Sequence, residues 1–187
     1  MATLDEILTD AEHKMDASVE KVQEDFASIR TGRANPQLLH KVQVDYYGQR
    51  TPLQQLATFA VPEPRMLIVS PYDKGAMDDV ERAIRDSDLG LNPSSDGQII
   101  RCVFPELTEE RRKEYIKVAK DRAEDGKIAI RNIRRHAKDE MQRLEDEGEV
   151  GADVHMRHAK QLEELTAKHV KRVDELLEHK ERDLLEV

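Results

Sequence analysis

Two long stretches of helical hydrophobic periodicity, 108–146 and 153–186, constrain what this 187-residue chain can fold into. At a rise of about 1.5 Å per residue they form helices on the order of 50–58 Å long. A compact chain of this length has a radius of gyration of only about 16 Å. We therefore predict an elongated molecule. The predicted inward residues are Ile116, Ala119, Ala123, Ile130, Ile133, Ala137 and Leu144, with Gly126 in one slot, and then Ala159, Leu162, Leu165, Val170, Val173, Leu177 and Leu184.

A third amphipathic helix is predicted at the start of the chain, over 3–30. Thr3 and Glu6 have the spacing of a capping box. Gly32 and Pro36 end the helical pattern. Its apolar stripe is predicted to be Leu4, Leu8, Ala11, Met15, Val22, Phe26 and Ile29. Three such helices can bury one another's stripes, which predicts an antiparallel three-helix bundle.

The segment 31–106 has a different character. "KVQVDYY" alternates in the way a strand does, and "LATFAV" and "RMLIVSP" are short apolar runs. "GAMDDVERAIRDSDLG" predicts a short helix, and "SSDGQIIRCVF" predicts a turn and a strand. We expect a small inserted β/α/β domain with an antiparallel or mixed sheet. The fold class is thus α+β, with a discontinuous bundle (1–30 and 107–187) and linkers near 31–36 and 104–107.

The amino-acid composition indicates in which cellular compartment the protein works. Charged residues make up 37% of the chain and aromatic residues 4%, which favours long solvated helices. A single cysteine, Cys102, excludes an intrachain disulfide and favours a reducing cytosol. There is no secretory signal pattern at the start and no run apolar enough for a membrane span. We expect a soluble, cytoplasmic protein.

The positive charge is concentrated in one segment. Residues 111–135 hold ten Lys or Arg against four Asp or Glu, a local charge of +6 in a chain whose net charge is −9. Most of these cations form a heptad-compatible row, offset by about 100° from the predicted core stripe. The row consists of Lys113, Lys117, Lys120, Lys127, Arg131, Arg134 and Lys138.

Two interpretations of this cation row are open. One is a solvated helix face with i,i+4 salt bridges. The other is a surface for RNA phosphates, which the shortage of acids within the segment favours. Arg30 and Arg33, at the end of the first helix, add two more guanidinium groups. The RNA hypothesis requires that carboxylates of neighbouring helices do not neutralise the row.

Other candidate sites are weak. His155 and His158 lack a third metal ligand, so no metal is predicted. Cys102 lies in an apolar run and is predicted to be a buried small residue. For Tyr46 and Tyr47 core packing is favoured over base stacking. We find no phosphate-binding glycine loop and no catalytic constellation, and so predict no enzyme activity and no cofactor.

Four motifs together resemble the bacterial ribosome recycling factor family over the whole chain. They are "IRTGRANPQLL" (29–39), "SDLGLNPSSDGQIIR" (87–101), "PELTEERRKEY" (105–115) and "IAIRNIRRHAKDE" (128–140). The resemblance implies an L-shaped molecule whose helical arm contacts large-subunit rRNA of the post-termination 70S ribosome. It also implies that the factor acts with elongation factor G and GTP to split the subunits, releasing mRNA and deacylated tRNA, and has no hydrolytic site of its own.

Applied to this sequence, the resemblance suggests specific residues. Those expected to bind rRNA are Arg30, Arg33, Arg112, Lys127, Arg131, Arg134 and Arg135, and those expected at the hinge are Thr31, Gly32, Phe104 and Pro105. We expect a monomer. Two alternatives remain: a helical adaptor that binds proteins without RNA, and an enzyme with a site in the small domain.

Overall fold

The computed structural model describes residues 2–186 and combines long helices with a small antiparallel sheet domain. The chain divides into two compact units: a helical unit, comprising the chain up to Ile29 and from Lys113 onward, and a sheet unit, Arg30–Arg112. Within the described residues the elements are α1 (Leu4–Ala27), α2 (Gln37–His40), β1 (Gln43–Tyr46), β2 (Gln49–Pro52), β3 (Ala57–Glu63), β4 (Met66–Pro71), α3 (Met77–Arg85), β5 (Asn92–Ser95), β6 (Ile100–Val103), α4 (Glu109–Asp146) and α5 (Ala152–Leu185).

Helix α1 begins as the sequence predicts. The Glu6 amide donates to Thr3 Oγ1 at 3.2 Å and the Thr3 amide donates to Glu6 Oε2 at 2.8 Å, which completes the capping box. The buried residues are Leu4, Ile7, Ala11, Met15, Val19, Val22 and Phe26. The prediction of Leu8 was wrong, because this side chain is only half-buried while Ile7 takes the inward position. Two adjacent apolar residues lie about 100° apart on a helix, so one of them must leave the seam.

Helix α4 also keeps its predicted start. The Arg111 amide donates to Thr108 Oγ1 at 3.2 Å, so Thr108 caps a helix that begins at Glu109, next to the predicted start at 108. Its buried residues are Ala119, Ala123, Gly126, Ile130, Ala137, Met141 and Leu144. Ile116 and Ile133 are half-buried, and Met141 takes a core position that the sequence analysis missed.

The core face of α5 differs more from the prediction. Leu162, Val173 and Leu184 are buried, but two polar residues, Thr166 and His169, share the core with them. Thr166 Oγ1 donates to the Leu162 carbonyl at 2.7 Å, and both ring nitrogens of His169 have partners, so neither polar group is buried unsatisfied. The remaining predicted residues, Ala159, Leu165, Val170 and Leu177, are half-buried.

Side-chain pairs fix the direction of the helices in the helical unit. His158 Nε2 lies 2.8 Å from Asp5 Oδ1 and His169 Nε2 lies 2.7 Å from Asp16 Oδ1, both across a separation of 153 residues. Because the offset is the same at two levels, α1 and α5 run parallel. We call these two pairs the α1–α5 seam. Helix α4 runs antiparallel to both.

A glycine sets the closest approach between α1 and α4. A Cβ atom added to Gly126 would lie 2.3 Å from Val22 Cγ2, well inside van der Waals contact. The two helices therefore pack at a separation that only glycine permits at this position.

The sheet unit has two antiparallel sheets. Strands β1 and β2 form a hairpin, and the second sheet has the order β3-β4-β6-β5 with every neighbouring pair antiparallel. The short predicted helix is α3, which buries Met77, Val80 and Ile84. Strand β2 was missed because "QRTP" does not alternate. It is created by the tight turn at Tyr47 (φ 48°) and Gly48 (φ 81°), which pairs it with β1.

Candidate nucleic-acid interface

Helix α4 carries the cation row along one side of its core stripe. Among the row, Lys113, Lys117, Lys120, Arg131 and Lys138 are exposed and Lys127 and Arg134 are half-buried. Arg135, adjacent to the row, is exposed too. The row therefore flanks the seam without entering it, as the helical spacing predicted.

Carboxylates of α5 face three members of this row. Lys120 Nζ lies 3.6 Å from Glu181 Oε1, Lys127 Nζ lies 2.9 Å from Asp174 Oδ1 and Arg134 Nη1 lies 3.5 Å from Glu163 Oε2. We call these three pairs the α4–α5 ridge. A count of charges within 111–135 omits these acids, because they come from a helix that is distant in the sequence.

The rest of the row is paired less completely. Arg131 Nη1 lies 3.4 Å from Glu124 Oε1 on the same helix. Within residues 2–186, no ion pair or hydrogen bond of the Lys117, Arg135 or Lys138 side chains is present. The condition that neighbouring carboxylates leave the row free is thus met at some positions and not at others.

The ridge pairs differ in how firmly they are held. Asp174 accepts a hydrogen bond from Lys127, whose side chain is only 18% exposed, and this bond raises the Lys127 pKa above its ordinary value. By contrast, the Arg134 and Glu163 side chains are 37% and 57% exposed and share one contact at the outer limit of a hydrogen bond. Exposed pairs of this kind contribute about 0–1 kcal/mol to stability. Lys127 therefore links α4 firmly to α5, whereas Arg134 is held only loosely.

The other three predicted cations belong to the sheet unit. The Arg30 guanidinium donates from Nη2 to the Asp88 carbonyl at 2.7 Å, and it lies beside Gly90. Arg33 is exposed. Arg112 is half-buried, and its Nε atom has no hydrogen-bond partner within the described part of the chain. Arg30 thus braces the "SDLGLN" loop, a structural role that the sequence analysis did not assign.

The two candidate metal ligands, His155 and His158, do not point toward a common site. His155 Nδ1 contacts Glu145 of α4, whereas His158 Nε2 lies 2.8 Å from Asp5 of α1. In residues 2–186, no group of three or more His, Cys, Asp or Glu side chains could hold a metal ion. Nor does any helix of that range combine the length and the apolar character that a membrane crossing requires.

The remaining candidates of the sheet unit have clear surroundings. Cys102 is fully buried in β6, and desolvation raises the pKa of its thiol to about 11, so it is not a reactive thiolate at neutral pH. Tyr46 packs against the core as predicted, but the prediction of core packing for Tyr47 was wrong, because this residue is 75% exposed. Both tyrosine hydroxyl groups donate to Asp73 Oδ2, at 3.1 and 3.0 Å.

Comparison with known proteins identifies the family. The model of the ribosome recycling factor family matches residues 5–185. The chain is 57% identical to the ribosome-recycling factor of Nocardioides sp. and 59% identical to that of Streptomyces avermitilis, in both cases over 98% of this chain and 100% of the relative.

Solved structures agree with the sequence comparison. A solution structure of the ribosome recycling factor covers all of both chains, with a TM-score of 0.81 and 35% identity. The Thermus thermophilus ribosome recycling factor, in a set of models with Escherichia coli elongation factor G on the post-termination complex, gives a TM-score of 0.70 and 42% identity over 99% of this chain. The chain belongs to the ribosome recycling factor family.

Proposed function

We propose that this protein binds the post-termination bacterial 70S ribosome and, with elongation factor G and GTP, promotes subunit splitting and release of mRNA and deacylated tRNA. The single observation that carries this proposal is that the family match covers residues 5–185 and so includes both units. The protein itself would be a translation factor without hydrolytic activity, working in the cytoplasm as a monomer. The GTP hydrolysis would belong to its partner.

The exposed cations of α4 are the proposed contact with large-subunit rRNA. Arg131 and Arg135 extend from a helix whose core side is fixed, and the guanidinium group suits phosphate because it is permanently charged and forked. Arg134 binds phosphate once its contact with Glu163 breaks. Lys127 adds positive charge to this surface while it remains paired with Asp174. The proposed rRNA-binding set remains Arg30, Arg33, Arg112, Lys127, Arg131, Arg134 and Arg135.

The proposed hinge residues belong to the sheet unit: Thr31 and Gly32 follow its start at Arg30, and Phe104 and Pro105 come eight and seven residues before its end at Arg112. Gly32 has a φ of 79°, which favours glycine, and a Cβ there would lie 3.5 Å from Leu107 Cγ. The two linker segments therefore run side by side. Phe104 is buried and its amide donates to the Arg65 carbonyl at 2.8 Å, so it anchors the end of the sheet next to Pro105. With Thr31 these residues would allow bending about one axis.

The test is ribosome co-sedimentation across a salt series, combined with a splitting assay with and without elongation factor G. Arg131→Ala and Arg135→Ala together should weaken binding about tenfold or more at moderate salt and reduce its salt dependence, since each phosphate contact releases counterions. Arg122→Ala is the matched control. Arg122 is an exposed arginine of α4 whose side chain has no ion pair within residues 2–186.

The control is informative because of its place on the helix. Nine residues, about two and a half turns, separate Arg122 from Arg131, which puts the two on opposite sides of α4. A loss of binding free energy for Arg122→Ala that is half the loss for the double variant would show that total charge, not this surface, governs binding, because the double variant removes two charges. Unchanged binding in the double variant would contradict the RNA contact, and a partner complex that survives RNase would favour a protein adaptor.

A further inference from the structure

We propose that Glu163 of α5 is a built-in competitor of RNA phosphate for Arg134, so that it limits how tightly and how long the protein stays bound. This inference rests on the proposed function, because it assumes that the α4 cations contact rRNA. It assigns a role to a carboxylate outside the cation row.

The contact between the two side chains is weak. The hydrogen bond from Arg134 Nη1 to Glu163 Oε2 is 3.5 Å long, which is the outer limit for such a bond. A guanidinium group has five N–H donors and binds phosphate through two parallel hydrogen bonds in its strongest geometry. Since both side chains are well exposed, an incoming phosphate can replace the carboxylate without opening the helix core.

The carboxylate still affects binding after it is displaced. It remains on α5 within a few ångströms of the site that the phosphate occupies, and like charges at that distance repel one another. The Debye length is about 8 Å at physiological ionic strength, so salt screens this repulsion only in part. Glu163 therefore reduces affinity in two ways, by occupying Arg134 in the free protein and by repelling the phosphate in the complex.

The neighbouring ridge pair shows what a purely structural contact looks like. Asp174 and Lys127 are joined at 2.9 Å, and the lysine is largely withdrawn from solvent. A structural role for Glu163 would call for the same geometry, yet its contact is longer and more exposed. The three ridge pairs thus share a position but not a geometry, and Glu163 is the ridge carboxylate whose partner is an arginine of the proposed rRNA-binding set held by a long contact.

The experiment compares Glu163→Gln with Glu164→Gln. Both residues are exposed glutamates of α5, both variants remove one negative charge, and the Glu164 side chain has no hydrogen bond or ion pair within residues 2–186. For each variant, the Kd and the dissociation rate from post-termination ribosomes are measured by co-sedimentation and stopped flow. We expect Glu163→Gln to lower the Kd about two- to fivefold, mainly through slower dissociation, and Glu164→Gln to change it by less than about 1.5-fold.

A double-variant cycle with Arg134→Ala separates this inference from the function it rests on. In the Arg134→Ala background, Glu163→Gln should give no gain, or a much smaller one. If Glu163→Gln and Glu164→Gln behave alike while Arg134→Ala weakens binding, the competitor role is wrong and the RNA surface stands. If Arg134→Ala and the Arg131/Arg135 double variant both leave binding unchanged, the proposed rRNA contact of α4 is wrong and the competitor role fails with it.

Discussion

The two sides of α5 hold the helical unit together in different ways. On the α1–α5 seam, His169 is completely buried and bonded to Asp16, and nearby α1 and α4 approach so closely that Gly126 has no room for a methyl group. On the α4–α5 ridge the contacts are charged, and two of the three cations, Lys120 and Arg134, reach solvent while Lys127 is largely withdrawn from it. We infer that the contacts of α1 are buried and hold the helices in place, whereas the exposed side chains of the ridge can exchange partners.

Filling the gap at Gly126 should have the largest effect. Gly126→Leu should destabilise the protein by about 2–3 kcal/mol, because the added side chain meets Val22 in a packed core. Urea unfolding followed by circular dichroism measures it. Asn132→Leu, at an exposed position of the same helix, is the control and should stay within about 0.5 kcal/mol. Equal stability of the two variants would show that the close approach to α1 is not needed.

Removing one carboxylate from the α1–α5 seam and one from the α4–α5 ridge compares the stability that each contributes. Asp16→Ala should cost about 1–3 kcal/mol, because it leaves a buried His169 nitrogen without a partner. Glu163→Ala should cost at most about 0.5–1 kcal/mol, because its pair is exposed. The same unfolding experiment serves for both. A larger loss of stability for Glu163→Ala than for Asp16→Ala would reverse the roles assigned to the seam and the ridge.

The smallest effect is a dependence of stability on pH, in the acid-to-neutral range, that the α1–α5 seam should show. Hydrogen bonds to the Val154 carbonyl and then to Asp5 raise the pKa of His158 above 6.5, so its contribution is complete below about pH 6.5 and is lost as pH rises through the folded-state value. The hydrogen bond with His169, together with Arg172, lowers the pKa of Asp16 below 3.8. The Asp16 contribution is therefore present above about pH 4 and is lost as pH falls through its folded-state value.

The free energy of unfolding should therefore contain a seam contribution that is greatest between about pH 4 and pH 6.5. The charged groups involved are Asp5 and Asp16 of α1 and Arg157 and Arg172 of α5. Unfolding of the protein and of His158→Gln at a series of pH values gives the measurement. The difference between them should shrink from pH 6 to pH 8.5, and a difference that grows over that range would contradict the assignment.

Much of the architecture was predictable, because it follows from local spacing. The capping box of Thr3 and Glu6 and the extents of the long helices were predicted from spacing alone and are confirmed. The errors have a common cause in contacts between distant parts of the chain. The sequence of α5 alone does not predict that His169 is buried, because its burial depends on Asp16 of α1. Likewise, the sequence up to residue 135 does not predict that Glu163 faces Arg134. The family resemblance in the motifs identified the protein more securely than any charge count.

The two histidine–aspartate contacts recur after eleven residues on both helices, from Asp5 to Asp16 and from His158 to His169. Eleven residues make three turns at about 3.67 residues per turn, close to the natural pitch of a straight helix. A single inserted residue in α1 would rotate the second contact by about 100° and break it. An insertion between the two contacts keeps both of them only if it adds close to a whole number of turns to α1 and to α5 alike, so the spacing of these contacts can change in steps but not continuously.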